Sequence, residues 1–217
     1  MDLHAYGIHY TYPRSTQEVV TDWSHSFTSG TITAITGMSG SGKSTRLYML
    51  ALMVKIKRGE IWLDDRRVDN LTDRERAAIR AHHFGFIFQD AALDATRSVL
   101  DNIVETSLYQ GRSPRDLRER ALRLMEEMNV DVPALRKPGQ ISGGQAQRIA
   151  VCRALVTNPQ IIFADEPTGN LDSITSALVL RTLKEHAQNG GTVIMVTHDP
   201  EVSDFADYHC EITAVKP

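Results

Sequence analysis

The chain has 217 residues, enough for one or two domains with a proper core. Its 41% hydrophobic and 24% charged content is ordinary for a soluble globular protein, and a net charge of -3 gives no global electrostatic reason to expect nucleic-acid binding. Cys152 and Cys210 stand far apart in no ligand spacing, which argues against a disulfide framework or zinc site; both are expected as reduced thiols in cytosol. No apolar run approaches the roughly 18 residues of a membrane span. Met1-Asp2-Leu3-His4 lacks the basic start and apolar core of a signal peptide. Work at a membrane would need a partner to hold the chain there.

Residues 1 to 36 contain several β-prone segments, among them Tyr6 to Tyr12 and Thr31 to Thr36, parted by the turn signal Pro13-Arg14-Ser15-Thr16. Period-2 geometry puts Tyr10 and Tyr12 on one face, where they serve as packing or as a flat platform for a nucleotide base. The stretch Gly37 to Thr45, GMSGSGKST, follows and satisfies G-x-x-x-x-G-K-S/T. Its glycines allow conformations a Cβ would forbid, so successive N–H groups can converge on phosphate oxygens at the start of a helix. Lys43 then reaches the β- and γ-phosphates and the Ser44 hydroxyl reaches Mg2+. The bare pattern arises by chance in roughly one chain of this length per hundred, so its strand-before, helix-after context carries the weight.

A buried helix is predicted from Lys43 to about Lys55, then a short strand from Glu60 to Leu63. Thr72-x-x-Glu75 is a capping box opening a helix to about Ala81, and Phe84 to Phe88 is an aromatic, β-prone run ending at Gln89. Residues 60 to 88 therefore read as a strand-rich extension rather than another βα repeat. Helical patterns follow at Ser98 to Tyr109 and at Pro114 to Met128, the latter entered through Ser113 with proline at the first helical position. The stripe Leu117, Ala121, Leu124, Met125 and Met128 is core.

Ile141-Ser142-Gly143-Gly144-Gln145 leads into a helical pattern from Ala146 to Val156. Ser142 alone would cap that helix; two adjacent glycines look built for close approach to an anion. Gln160 to Ala164 is a buried parallel-type strand running into Asp165-Glu166, two carboxylates poorly explained by packing and better read as metal and water chemistry. A helix from Ser173 to Gln188 and a strand from Thr192 to Thr197 follow. That strand ends on His198, again where open α/β sheets place ligand contacts. The other histidines read as structural or surface groups.

Taken in this order, the segments closely resemble the nucleotide-binding subunit of an ATP-binding cassette (ABC) transporter over essentially the whole chain. GMSGSGKST is similar to Walker A, Gln89 in FIFQ to the Q-loop and ISGGQ to the LSGGQ signature. IIFADE is similar to Walker B plus the catalytic glutamate, Gly169-Asn170-Leu171-Asp172 to the D-loop, and His198 to the switch histidine. The resemblance implies an α/β P-loop NTPase core with an antiparallel β subdomain and a helical subdomain. Residues 1–89 and 156–217 would form the core with its β part, and about 90–155 the helical subdomain.

It also implies two chains paired head to tail around two Mg-ATP. Tyr12 would stack on adenine. Gly37, Ser39, Gly40, Ser41, Gly42, Lys43, Ser44 and Thr45 would bind phosphate, with Ser142, Gly143, Gly144 and Gln145 closing from the opposite subunit. Ser44 and Gln89 would hold Mg2+, assisted by Asp165 through water; Glu166 would polarise the attacking water, His198 would contact the γ-phosphate, and Asp172 belongs to the D-loop. The implied partners are transmembrane permease subunits docked near Gln89, at the cytoplasmic face of the membrane, and no nucleic acid.

Within the family, Glu166-Pro167-Thr168-Gly169-Asn170-Leu171-Asp172 and GFIFQ look most like the macrolide-export, lipoprotein-release, antimicrobial-peptide-resistance and cell-division group. Export or extraction of a peptide, lipoprotein or drug-like substrate is the leading expectation; a non-transporting mechanotransmission ATPase of the cell-division type is the alternative. Met38, Ile141 and Asp65 depart from common proline, leucine and glycine, and the tail Asp207 to Pro217 lacks the usual Asp-Gly hairpin, which predicts an abbreviated sheet end.

Overall fold

A computed structural model describes residues 1–169 and 171–213. Asn170 and the last residues of the tail lie outside them. In chain order the elements are β1 (Leu3–Thr11), β2 (Glu18–Phe27), β3 (Ile32–Gly37), α1 (Lys43–Leu50), β4 (Arg58–Leu63), β5 (Arg66–Arg67), α2 (Asp73–His83) and β6 (Phe84–Ile87). Next come α3 (Val99–Val104), α4 (Thr106–Tyr109), α5 (Arg118–Glu127), α6 (Gly143–Leu155), β7 (Ile161–Asp165), α7 (Ser173–Gln188), β8 (Thr192–Val196), α8 (Pro200–Asp204) and β9 (Tyr208–Ile212).

The strands form two sheets, an antiparallel one ordered β2-β1-β4-β5 and a parallel one ordered β6-β7-β8-β3-β9. The parallel sheet is covered on both faces, so its inner strands are unbroken apolar runs whose alternate residues feed two separate cores. Ile162, Ala164, Val193, Met195, Ile32 and Ala34 face a layer built on α3, α5, α6 and α7. Ile161, Phe163, Ile194, Val196 and Ile35 face α1 and the antiparallel sheet. Phe163 is 1% exposed, stacked on Phe86 and met edge-on by Phe84; removing its ring would cost about 3–5 kcal/mol. All five strands of this sheet run the same way, so their carboxyl ends share one edge, where loops leave for the helices.

Several elements differ from expectation for identifiable reasons. The helix expected to reach about Lys55 stops at Leu50: the N–H of Leu52 bonds Met49 O and that of Met53 bonds Tyr48 O, a Schellman closure with Leu52 left-handed at φ 57°. Leucine is an unusual occupant of that position, but its side chain is 2% exposed in the core, which offsets the backbone cost. The stretch 60 to 88 is not one extension. β4 and β5 join the antiparallel sheet, whereas α2, opened by the Thr72/Glu75 capping box, carries the chain across to β6 on the edge of the parallel sheet. The helix expected from Ser98 to Tyr109 breaks after Val104, and the Pro114 entry forms a 3-10 turn before α5. In the tail, β9 pairs in parallel with β3.

No helix of the described residues is long and apolar enough to cross a membrane. Cys152 and Cys210 are both buried free thiols, and burial pushes the Cys152 thiol up to about 12.

Candidate active site

The glycine stretch leaves β3 at the carboxyl edge and turns into α1. Gly37 has φ 141°, and a Cβ there would lie 2.4 Å from Ile212 O on the neighbouring strand. At Gly42, φ is 83° and a Cβ would meet Val19 at 2.9 Å. Glycine is thus required at both ends of the loop. Gly42 also stands at the N-cap of α1 with no side-chain cap, so the first N–H groups of the helix are free to meet an anion. Ser39 and Gly40 are exposed, while Ser41 and Thr45 are buried. Lys43 Nζ donates to Gly37 O at 2.9 Å and Met38 O at 3.1 Å, which holds a cation across the loop.

The two carboxylates reach this loop from the next-but-one strand. Asp165 is the last residue of β7 and only 3% exposed; Ser44 Oγ donates to its Oδ1 at 3.0 Å and the Tyr48 hydroxyl to its Oδ2 at 2.8 Å. Burial, and then the bond to Asp165, raise the Tyr48 phenol above its ordinary range. A buried carboxylate whose oxygens are both held by hydroxyls, one of them beside the loop, is an all-oxygen set suited to a hard divalent cation. Glu166 leaves the strand with φ 48°, an uncommon conformation for glutamate, while its N–H still bonds Val196 O at 3.0 Å. The turn separates the two adjacent side chains. Glu166 Oε1 meets His198 Nδ1 at 2.7 Å, just beyond β8, and that bond raises the otherwise exposed imidazole above its ordinary pKa.

The remaining sequence-derived residues are arranged as follows. The Tyr12 side chain is 47% exposed and its hydroxyl lies 2.6 Å from Thr45 Oγ1, with Tyr10 buried edge-on beneath it. Gln89 is exposed, two residues past β6. Ser142 caps α6 in a full capping box with Gln145, and Gly143 is exposed, with nothing within 4 Å of a Cβ built on it. Asp172 caps α7 through Thr175, which holds its carboxyl below the usual range.

Three side chains that sequence reasoning missed tie these pieces together. Tyr48 is one; it stands four residues after Ser44 on α1, so helical spacing alone puts the two hydroxyls on one face. Gln147 Nε2 donates to Phe88 O at 3.2 Å and Pro167 O at 3.4 Å, linking α6 to the residues beside Gln89 and Glu166. Arg153 donates to Ala91 O and Ala92 O and holds the segment beyond Gln89. That segment borders a groove of about 730 Å³ between α2, β6 and α4, lined by Ala77, Phe86, Phe88 and Tyr109 together with the charged Arg74, Arg80, Glu105 and Arg153.

A glycine loop between an inner parallel strand and a helix, with two carboxylates at the end of the next-but-one strand, defines the phosphate-binding-loop class of nucleotide-binding α/β proteins. Residues 20–169 match the family model described as ABC transporter, and the chain belongs to that family. It is 40% identical over 207 residues to the macrolide export ATP-binding/permease protein MacB of Chlorobium luteolum, covering 94% of this chain and 31% of that one. The corresponding Yersinia pestis protein is 42% identical over 195 residues, 90% of this chain and 30% of its own. The chain therefore spans about a third of the length of the curated relatives it matches. Among solved structures, the dimeric post-hydrolysis state of the ATP-binding cassette MJ0796 bound to ADP and Pi superposes with a TM-score of 0.89 at 33% identity, covering 97% of this chain and 96% of that one.

Proposed function

We propose that this chain is the ATP-binding and ATP-hydrolysing cassette of an ABC transporter, working as a nucleotide-dependent dimer that drives a membrane subunit. The observation that carries the reading is the convergence of Lys43, Ser44, Asp165, Glu166 and His198 on one edge of the parallel sheet through the bonds described above. The loop amides and Lys43 bind the β- and γ-phosphates, and Tyr12 offers its exposed ring to the adenine. Mg2+, which supplies electrophilic charge at the phosphate oxygens when bound, would be held by Ser44 and Gln89, with Asp165 acting through a water. Glu166 orients the attacking water and His198 touches the γ-phosphate while steadying Glu166.

The complementary half of each site comes from the second copy. Ser142, Gly143, Gly144 and Gln145 start α6, the first two of them exposed, and close on the γ-phosphate of the opposite subunit, and Asp172 fixes the start of α7 beside that seam. Hydrolysis is then tied to closure, since no single chain carries the whole constellation. Residues 1–89 and 156–217 act as the catalytic core with its β part, and about 90–155 as a helical subdomain that swings the signature helix.

The membrane partner docks a cytoplasmic segment in the groove beside Gln89. The groove's lining, its continuity with Gln89 through Phe88 and the ATP-binding/permease names of the relatives support this. The cassette accordingly works at the cytoplasmic face of the membrane. The macrolide-export names of the relatives favour export or extraction of a drug-like, peptide or lipoprotein substrate.

Glu166→Gln is the test: it should lower ATP turnover by about 10²–10⁴-fold, the usual worth of a general base, and trap an ATP-bound dimer visible by light scattering. A variant that stays monomeric at saturating Mg-ATP would refute the sandwich.

A further inference from the structure

We propose that Arg46 is a second cation of the phosphate site, buried behind the glycine loop, which aims the loop's backbone and balances the charge of the polyphosphate. The inference rests on the ATP reading above and deepens it. Arg46 lies in the first turn of α1 and is 3% exposed, a degree of burial arginine almost never reaches unless paired. It makes no ion pair among the described residues, and its Nε is buried without a partner. The guanidinium instead rests 5.5 Å from the centre of the Trp23 ring, and the titratable group that acts on its charge is the Cys210 thiol, which burial pushes above its ordinary pKa.

Three features therefore oppose a cation at this position: desolvation, the want of a counter-ion, and the positive end of the α1 dipole. The Trp23 ring and two loop carbonyls offset part of the desolvation but supply no counter-charge. A polyanionic phosphate chain on the outer face of the same loop offsets the last two.

The geometry also explains the aim of the loop. Arg46 Nη1 donates to Ser41 O at 2.9 Å and Gly42 O at 3.2 Å, the latter already accepting the first helical bond from the Arg46 N–H at 3.0 Å, so side chain and backbone of one residue together hold both carbonyls inward. In a trans peptide the N–H points opposite to the C=O, and the chain has no cis bonds among its described residues. The N–H groups of Gly42 and Lys43 are thereby turned outward, toward the phosphate side. A Cβ at Gly42 would lie 3.0 Å from Nη1, so glycine at this position also makes room for the contact.

The experiment compares the wild-type chain with Arg46→Met, Arg46→Gln and Arg46→Lys. Calorimetry would measure binding of ATP and of inorganic tripolyphosphate, and a melt would give the unliganded midpoint. Arg46→Met should bind both ligands roughly tenfold more weakly, the effect of one charge acting through a loop at intermediate dielectric, while its unliganded midpoint is unchanged or higher. Arg46→Lys should recover most of the affinity. Wild-type affinity in Arg46→Met, or a lowered midpoint with affinity intact, would overturn the proposal. If Arg46→Met does not fold, Arg46→Gln, which keeps a donor for the loop carbonyls, decides on the same two criteria. A wild-type chain that binds neither ligand would bring down the ATP reading and this inference with it; wild-type binding matched by the neutral variants would remove this inference alone.

Discussion

The loop edge of the parallel sheet and the start of α6 are both rich in glycine and polar side chains, yet they are finished to different degrees. At the sheet edge the charged groups and the hydroxyls beside them have partners within the chain: Lys43 on the loop carbonyls, Ser44 and Tyr48 on Asp165, Glu166 on His198. At the start of α6, Ser142 and Gln145 satisfy only each other, and Gly143 presents bare backbone to its surroundings. One region is wired from within; the other leaves its backbone open. A substitution at the first should damage the chain itself, and one at the second should damage only what two chains do together.

Gly143→Asp is the sharpest way to break this contrast. Space is open around Gly143, and an acidic residue suits the first turn of a helix, so folding and ATP binding by the single chain should be unaffected. Hydrolysis should nonetheless fall by at least about 10²-fold, since a carboxylate would face the γ-phosphate of the opposite subunit. Parallel melts and steady-state turnover check it; retained turnover would show that this helix start takes no part in the reaction.

Tyr48→Phe probes the wired side with a smaller effect. Loss of the hydroxyl leaves Asp165 Oδ2 without its donor, which should cost on the order of 1 kcal/mol of stability. It should also raise the Mg2+ concentration for half-maximal ATP turnover severalfold. A melt and a Mg2+ titration read the two effects separately, and an unchanged Mg2+ requirement would confine Tyr48 to packing.

The smallest effect is one of proton affinity. The bond to Glu166 raises the His198 pKa above its ordinary value of 6.5, so the charged pair is fully formed below that value and lost as pH rises through the higher, folded one. An NMR titration of the imidazole should show the raised value in the wild type and a return toward 6.5 in Glu166→Gln. Identical titrations in the two would mean that the pair does not persist in solution.

How much of this was readable beforehand follows the range of the interaction. Caps are local, so Thr72/Glu75, Ser98, Ser113 and Ser142 announced their helices, and the buried strands β7 and β8 announced themselves through continuous apolar runs. The glycine loop and the carboxylates were legible because their chemistry demands fixed spacing. The end of α1 was not, because Leu52 takes a left-handed conformation for the sake of distant core contacts and no glycine marks the stop. The split of residues 60 to 88 between two sheets depends on pairing partners far away in sequence, β1 for β4 and β7 for β6. Gln147 was hidden for the same reason: its acceptors, Phe88 O and Pro167 O, come from two other parts of the chain.

The pairing of β3 bears on the order in which the molecule matures during synthesis. The strand that launches the glycine loop is flanked by β8 on one side and β9 on the other, and the Ile32 N–H is bonded by Asp207 across 175 residues. A nascent chain that has already exposed Gly37 to Thr45 therefore waits for β8 and then for β9 before both sides of that strand are paired. Pairing of the loop's own strand is thus completed long after the loop itself is made, so its support matures late.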